Sequence, residues 1–283
     1  MTAIRVAALQ MRSGTEPKAN LAAFEELVRE AAGQGARYVQ SPEMTGALVR
    51  GREALLERIR PADENPLVRR AAELAKEFSI FVHVGSTAIP LEGGKVANRA
   101  FLFGPDGSLI VTYDKIHMFD VDLDKGESWR ESATYAPGGR TVVAALPFAR
   151  IGIAVCYDLR FPQLFRAQAL AGAEVLTVPA AFTRQTGEAH WHVLNRARAI
   201  ENGAWVIAAA QGGLHEDGRE TFGHSLIVDP WGRIVAEADH DEPAVVLADI
   251  DPAACAEARR KIPNLKNARE FSVEEASFRE VVA

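Results

Sequence analysis

Cysteine is scarce in this chain. Its 283 residues hold two, Cys156 and Cys255, far apart in sequence. That excludes a disulfide framework and every cysteine-rich zinc module. No HExxH or comparable ligand spacing gathers the seven histidines, and His190 and His192, two apart on a predicted helix, point away from each other. No metal and no cofactor is expected. A basic surplus is missing too: 32 basic residues stand against 38 acidic, a net charge of −6, which argues against a nucleic-acid partner. The longest basic cluster, Arg259-Arg260-Lys261, reads as a solvated face. No apolar run reaches the roughly 18 residues of a membrane span, and the first residues lack the apolar core of a secretory leader. The expectation is a cytoplasmic protein without a membrane partner.

What remains is an ordinary globular composition, 48% hydrophobic, 25% charged and 7% aromatic. A chain of this length buries about three quarters of its unfolded surface. Apolar runs of strand length alternate with helix-period segments. Ile4 to Gln10 predicts a strand, and Pro17 to Ala32 a helix with Leu21, Phe24, Leu27, Val28 and Ala31 on one face. A short strand at Tyr38 to Gln40 stops at Pro42; a helix at Pro66 to Phe78 and a strand at Ile80 to Thr87 follow. Later strands are predicted near residues 99–103, 109–113, 141–146, 151–155, 175–178, 205–210, 225–228, 234–236 and 245–250, with helices near 162–170 and 189–202. About a dozen partly hairpin-linked strands do not suit a pure doubly wound sheet. They suit an α/β fold of two mixed sheets packed face to face with helices outside.

A near-repeat supports that layout. Phe103-Gly-Pro-Asp-Gly-Ser-Leu-Ile110 and Val228-Asp-Pro-Trp-Gly-Arg-Ile-Val235 share a strand, turn, strand pattern. Two similar halves, one per sheet, explain the recurrence. No low-complexity linker divides the chain, so residues 1–283 read as a single domain. Beyond Asp251 the periodicity weakens, and 251–283 reads as a C-terminal extension packing on a partner subunit.

Three positions carry candidate chemistry. Cys156 ends the buried-strand run Ile151-Gly-Ile-Ala-Val and precedes a helix opening at Pro162. A strand, sharp turn and helix form an elbow that exposes a side chain near backbone N–H groups, and a helix N-terminus favours thiolate. The competing reading is a buried structural cysteine. Glu43 follows Pro42 where the Tyr38 strand stops, and Lys115 follows the strand 109–113. Each alone reads as a surface charge, but their conjunction with an elbow cysteine does not.

The segments Ser-Pro-Glu43-Met, Tyr-Asp-Lys115-Ile-His-Met-Phe-Asp and Gly-Ile-Ala-Val-Cys156-Tyr-Asp-Leu-Arg-Phe-Pro resemble, in order and spacing, the three signatures of the nitrilase superfamily of carbon–nitrogen hydrolases. The resemblance implies a four-layer α-β-β-α sandwich that assembles as a homodimer or higher homo-oligomer. It implies Glu43 as general base, Lys115 as oxyanion stabiliser and Cys156 as nucleophile. An accessory glutamate is implied as well, Glu131 matching better than Glu127. Tyr157-Asp158 in place of the Trp-Glu of true nitrilases favours amides over nitriles. Segments 181–191, 196–202 and 208–215 resemble the branch of deaminated glutathione amidases and omega-amidases, with carbamoylase as a poorer fit. The implied reaction is hydrolysis of a linear carboxamide of a small anionic substrate through a Cys thioester, releasing ammonia. Retention of all three groups argues against a catalytically dead scaffold. Tyr157, Arg160, Phe182 and Thr186 are the implied substrate contacts, with Arg160 pairing a substrate carboxylate or, alternatively, capping the elbow through Asp158. Arg196 and Arg198 read as helix-surface charges.

Overall fold

The computed structural model describes residues 3–123 and 128–277. The expected accessory alternative Glu127 lies outside them. The chain opens with β1 (Ile4–Gln10), α1 (Pro17–Gly33), β2 (Tyr38–Gln40), α2 (Arg52–Arg58), α3 (Pro66–Phe78), β3 (Phe81–Pro90), β4 (Val96–Phe103) and β5 (Leu109–Asp114). A ribbon, β6 (Asp120–Asp122) with β7 (Ser128–Arg130), leads to β8 (Val142–Ala145), β9 (Arg150–Ile153), α4 (Pro162–Leu170), β10 (Val175–Thr177), α5 (Arg184–Asn202) and β11 (Trp205–Ala208). A second ribbon, β12 (Gly212–Leu214) with β13 (Glu220–Phe222), precedes β14 (Leu226–Val228), β15 (Ile234–Glu237), β16 (Ala244–Ile250) and α6 (Ala253–Lys261).

Two six-stranded sheets result, ordered β16-β1-β2-β3-β4-β5 and β8-β9-β10-β11-β14-β15. Each has three parallel strands, an antiparallel strand on one edge and an antiparallel hairpin on the other. The two Pro-X-Gly segments are the turns of those hairpins, β4–β5 and β14–β15. The halves anticipated from the near-repeat are therefore the two sheets.

The inner faces pack on one another through Val6, Ala8, Leu102 and Tyr113 of the first sheet and Ile151, Ile153, Ile207 and Ile227 of the second. On the first sheet's outer face, Ala7, Leu9, Val39 and Val82 meet Phe24 and Val28 of α1 and Leu67 and Leu74 of α3. Helices α4 and α5 cover the second sheet. The architecture is the four-layer α-β-β-α sandwich. The α3 boundaries follow from local chemistry: Asn65 accepts from the N–H groups of Leu67 and Val68, Pro66 takes the first position, and Ser79 closes the helix in the left-handed conformation.

The segment beyond Asp251 first folds back on its own chain. Trp205 donates its indole N–H to the Asp251 carbonyl, Arg259 of α6 reaches the carbonyls of Asn202 and Ala173, and Asn264 reaches that of Glu201. Arg259 thus leaves the expected solvated face. From Lys266 to Ser277 the described chain is exposed, Phe271 and Val273 by 87% and 89%. Among the described residues no helix is long and apolar enough to cross a membrane.

Candidate active site

The parallel strands deliver the candidate groups at their C-terminal ends, where open α/β sheets place ligands. Glu43 follows β2, Cys156 follows β9 and Ala181 follows β10. Lys115 extends β5, its N–H donating to the Asn98 carbonyl of β4. The Glu43 turn is held by Ser41, whose Oγ accepts from Thr45 Oγ1 and from the Gly85 N–H. Gly85 must lack a side chain, since a Cβ there would lie 2.1 Å from the Ser41 carbonyl and 2.4 Å from Pro179. The Pro179 carbonyl in turn accepts from the Cys156 N–H at 2.8 Å, so one glycine packs beneath the supports of both Glu43 and Cys156. Cys156 sits at φ +51° and Met44 at φ +56°, left-handed conformations that turn the chain sharply.

Lys115 is held between two carboxylates. Its ammonium donates to Glu43 Oε1 at 2.9 Å and to Glu131 Oε1 and Oε2 at 3.0 and 2.8 Å. Asn98 Nδ2 bridges the same pair, 2.9 Å from Glu43 and 3.2 Å from Glu131. The Ala181 N–H meets Glu43 Oε2 and the Phe119 N–H meets Glu131 Oε2. Lys115 and Glu43 are 2% and 4% exposed. Burial opposes the lysine charge, but Glu131 and Glu43 outweigh it and hold its pKa well above the usual range.

Cys156 lies within hydrogen-bonding reach of Glu43. Burial, reinforced by the Glu43 charge and only partly countered by Lys115, pushes its thiol well above the ordinary range. The turn that Cys156 opens is a short 3-10 helix, Cys156–Arg160, ahead of α4. Cys255 is different: its Sγ donates to the Glu174 carbonyl, and burial raises its pKa to about 12. It lies on the buried face of α6 and does not line the cavity.

Asp158 locks the elbow from below. It accepts from Tyr113 Oη at 2.6 Å and from the N–H groups of Val155 and His117, and it contacts the His117 ring. Arg160 is therefore not its cap. The Arg160 guanidinium instead donates to His190 and lies over the rings of Tyr157 and Phe182, 5.9 and 5.4 Å from their centres. Arg198, read from sequence as a surface charge, is buried and donates twice to the Leu159 carbonyl. It braces the elbow because the helix face that carries it points inward.

A cavity of about 280 Å³ opens over these groups. Glu43, Lys115, Glu131, Cys156, Tyr157, Arg160, Phe182 and Thr186 all line it, so every described site residue singled out from sequence converges there. The Thr186 hydroxyl is engaged with Thr183, the N-cap of α5. Sequence patterning did not reveal Asn98, whose only signal is a polar residue inside an apolar strand. Nor did it reveal the arginines of the wall, Arg50, Arg52, Arg130 and Arg219, which face the acidic Glu43, Glu131 and Glu220. Among the described residues no group of three or more His, Cys, Asp or Glu converges as a metal site. The chemistry the arrangement can perform is a thiol attack beside a carboxylate base and a fixed cation.

Comparison with known proteins agrees with this geometry. The carbon-nitrogen hydrolase family model matches residues 5–260. Deaminated glutathione amidase of Yersinia enterocolitica is 39% identical over 267 residues, 93% of this chain and 92% of that one. Omega-amidase NIT2 of Mus musculus is 38% identical over 272 residues, 95% and 96% of the two chains. The NitFhit protein of C. elegans superimposes with a TM-score of 0.88 at 30% identity, covering 95% of this chain and 66% of that one. This chain thus spans just under two thirds of that protein's length. Nit3 of Saccharomyces cerevisiae, a member of branch 10 of the nitrilase superfamily, superimposes with a TM-score of 0.83 at 29% identity, covering 93% and 95%. The chain belongs to the carbon-nitrogen hydrolase family, and it is an amidohydrolase.

Proposed function

We propose that the chain hydrolyses a side amide of a short anionic acid of the α-keto type through a Cys156 thioester, as an amidase of the deaminated glutathione or omega-amide kind. The carrying observation is that Lys115, Glu43, Glu131 and Cys156 meet at the base of a cavity whose wall holds Arg160. Arg160 has no carboxylate partner among the described residues. It stands ready for a substrate carboxylate, to which its planar fork is matched. The names of the relatives support the same substrate class.

The steps follow from the residues. Cys156 Sγ attacks the amide carbonyl carbon as Glu43 takes the thiol proton. Lys115 Nζ and the Tyr157 N–H stabilise the oxyanion, a contribution of about 3–4 kcal/mol per donor. Glu43 returns its proton to the leaving nitrogen, the C–N bond breaks and the amine departs. Water then attacks the thioester with Glu43 as base; the C–S bond breaks, the acid leaves and Sγ regains a proton. Glu131 and Asn98 keep Lys115 and Glu43 in place throughout. The leaving group is ammonia only for a primary amide; deaminated glutathione releases its dipeptide instead, which corrects the expectation of ammonia for that substrate.

The remaining readings fit this one. A single domain accounts for the described chain, and two buried unpaired cysteines suit a reducing cytoplasm. The exposed tail with Phe271 and Val273 supports packing against a second copy in a homo-oligomer. The test is a product-release panel with α-ketoglutaramate, deaminated glutathione, glutamine and an N-carbamoyl amino acid. The keto-acid amides are expected to turn over and Cys156→Ala to abolish it. Turnover by Cys156→Ala, or of the carbamoyl compound alone, refutes the assignment.

A further inference from the structure

In the proposed reaction Arg160 pairs with the substrate carboxylate, yet nothing in its own turn aims it there. Asp158, the acid of that turn, is taken by Tyr113, Val155 and His117. The guanidinium lies over the rings of Tyr157 and Phe182, and both rings line the cavity. Such contacts hold a cation against a ring face but leave it free to turn. A hydrogen bond has direction, and Arg160 makes one: Nη1 stands 3.2 Å from His190 Nδ1. A guanidinium carries donors only, so Nδ1 presents its lone pair and the ring proton sits on Nε2. The bond occupies one guanidinium N–H and leaves enough others for the parallel pair that grips a carboxylate.

His190 itself is exposed on α5 and does not line the cavity. Its influence on a bound ligand therefore runs through Arg160. The helix that carries it is fixed on both sides. Trp191 is fully buried, packs 5.0 Å from Phe182 and donates its indole N–H to the His224 carbonyl. Further along, Arg198 donates twice to the Leu159 carbonyl. Helix α5 thus holds the turn at two successive residues, Leu159 by its carbonyl and Arg160 by its guanidinium. The residues one helical turn from His190 are Thr186, Gly187, Val193 and Leu194, none of them charged. An imidazole lone pair orients the fork without cancelling its charge, whereas a carboxylate in its place would compete with the substrate.

We propose that His190 is a positioning residue for the anionic substrate, aiming the Arg160 fork into the cavity before the amide arrives. This rests on the proposed amidase activity with Arg160 as its carboxylate contact, and it names the residue that sets that contact. A free arginine side chain has many rotamers, and ordering them on binding weakens affinity. His190 orders Arg160 in advance. The carboxylate stays on the acyl portion, so substrate and thioester gain alike. That lowers KM and leaves the chemical step to Cys156, Glu43 and Lys115.

The experiment compares steady-state kinetics on α-ketoglutaramate and butyramide in wild type, His190→Ala, His190→Asn, Arg160→Met and the double variant of His190→Ala with Arg160→Met. In His190→Ala, KM for α-ketoglutaramate is expected to rise roughly threefold to tenfold, the range of one net hydrogen bond. The effects on kcat and on KM for butyramide, which has no carboxylate, are expected to be much smaller. His190→Asn restores an acceptor near the place of Nδ1 and is expected to recover most of the affinity. Once Arg160 is Met, removing His190 adds nothing, the mark of two residues acting as one contact. KM does not depend on how much of a preparation is folded, so a variant that folds poorly still reads the proposal. A wild-type KM in His190→Ala, equal losses on both amides, an Asn variant as poor as Ala, or an undiminished effect beside Arg160→Met overturns the positioning role alone. An unchanged KM for α-ketoglutaramate in Arg160→Met overturns the carboxylate contact with it, and a wild type inactive on both amides overturns the amidase reading as well.

Discussion

The Tyr113 hydroxyl donates a 2.6 Å hydrogen bond to Asp158 Oδ2, tying the strand that leads to Lys115 to the turn that carries Cys156. Both groups are fully buried, so neither can replace the other with water. Tyr113→Phe is expected to lower stability by about 2 kcal/mol, the value of a buried bond to a charged acceptor. Asp158→Ala, which strands the remaining donors, should cost about 3 kcal/mol or more. Urea unfolding checks both. A Tyr113→Phe midpoint equal to wild type would show that the bond contributes nothing net.

Glu43 raises the Cys156 pKa by its charge and its hydrogen bond, while Lys115 lowers it. Glu43→Gln removes the first influence and leaves the second. The thiol pKa must then fall, and each unit of fall multiplies the thiolate fraction about tenfold. Iodoacetamide is expected to alkylate Cys156 faster in Glu43→Gln than in wild type near neutral pH, although amide turnover drops by about 10²–10⁴. Slower alkylation in the variant contradicts this electrostatic account.

Arg160→Met keeps an unbranched stem against Tyr157 and Phe182 but removes the fork. KM for anionic amides is expected to rise roughly tenfold to a hundredfold, far more than for small neutral amides. Steady-state kinetics on α-ketoglutaramate and butyramide distinguish the cases, and equal losses remove the carboxylate role.

His83 is fully buried beside Tyr38, and burial lowers its pKa to about 3 from 6.5. Below pH 6.5 the unfolded chain binds a proton that the folded chain refuses. Stability is therefore full above pH 6.5 and declines as pH falls toward 3, by about 2 kcal/mol between pH 7 and pH 5 from this group alone. His83→Gln removes one proton's share of that slope. Urea midpoints at both pH values read it, and parallel wild-type and variant slopes would dismiss the effect.

The features legible in sequence were those written in short contiguous patterns. Strands β1, β2 and α3 end where alternation, proline and caps place them. Glu43, Lys115 and Cys156 each sit just past a strand, in segments dense with distinctive residues. Asn98, Arg50 and Arg219 were illegible because each is one polar residue in an unremarkable neighbourhood and acquires meaning only from partners far along the chain. The burial that pushes the Cys156 thiol up was illegible for a related reason: desolvation is a property of the packed site, whereas a helix start can be read locally. Helix α6 escaped because Ala253 to Lys261 carries little apolar periodicity; Cys255 and Ala258 are its buried contacts.

The clamp of two carboxylates around Lys115 has a consequence for the end of the cycle. Hydrolysis turns a neutral amide into an acid, and once that acid loses its proton a new negative charge lies against Glu43 and Glu131. Those two already share a single buried ammonium. In a site this sheltered from water, like charges repel strongly. The arrangement that admits an uncharged amide at its base therefore expels the carboxylate made from it, and turnover acquires a direction from the product's own ionisation.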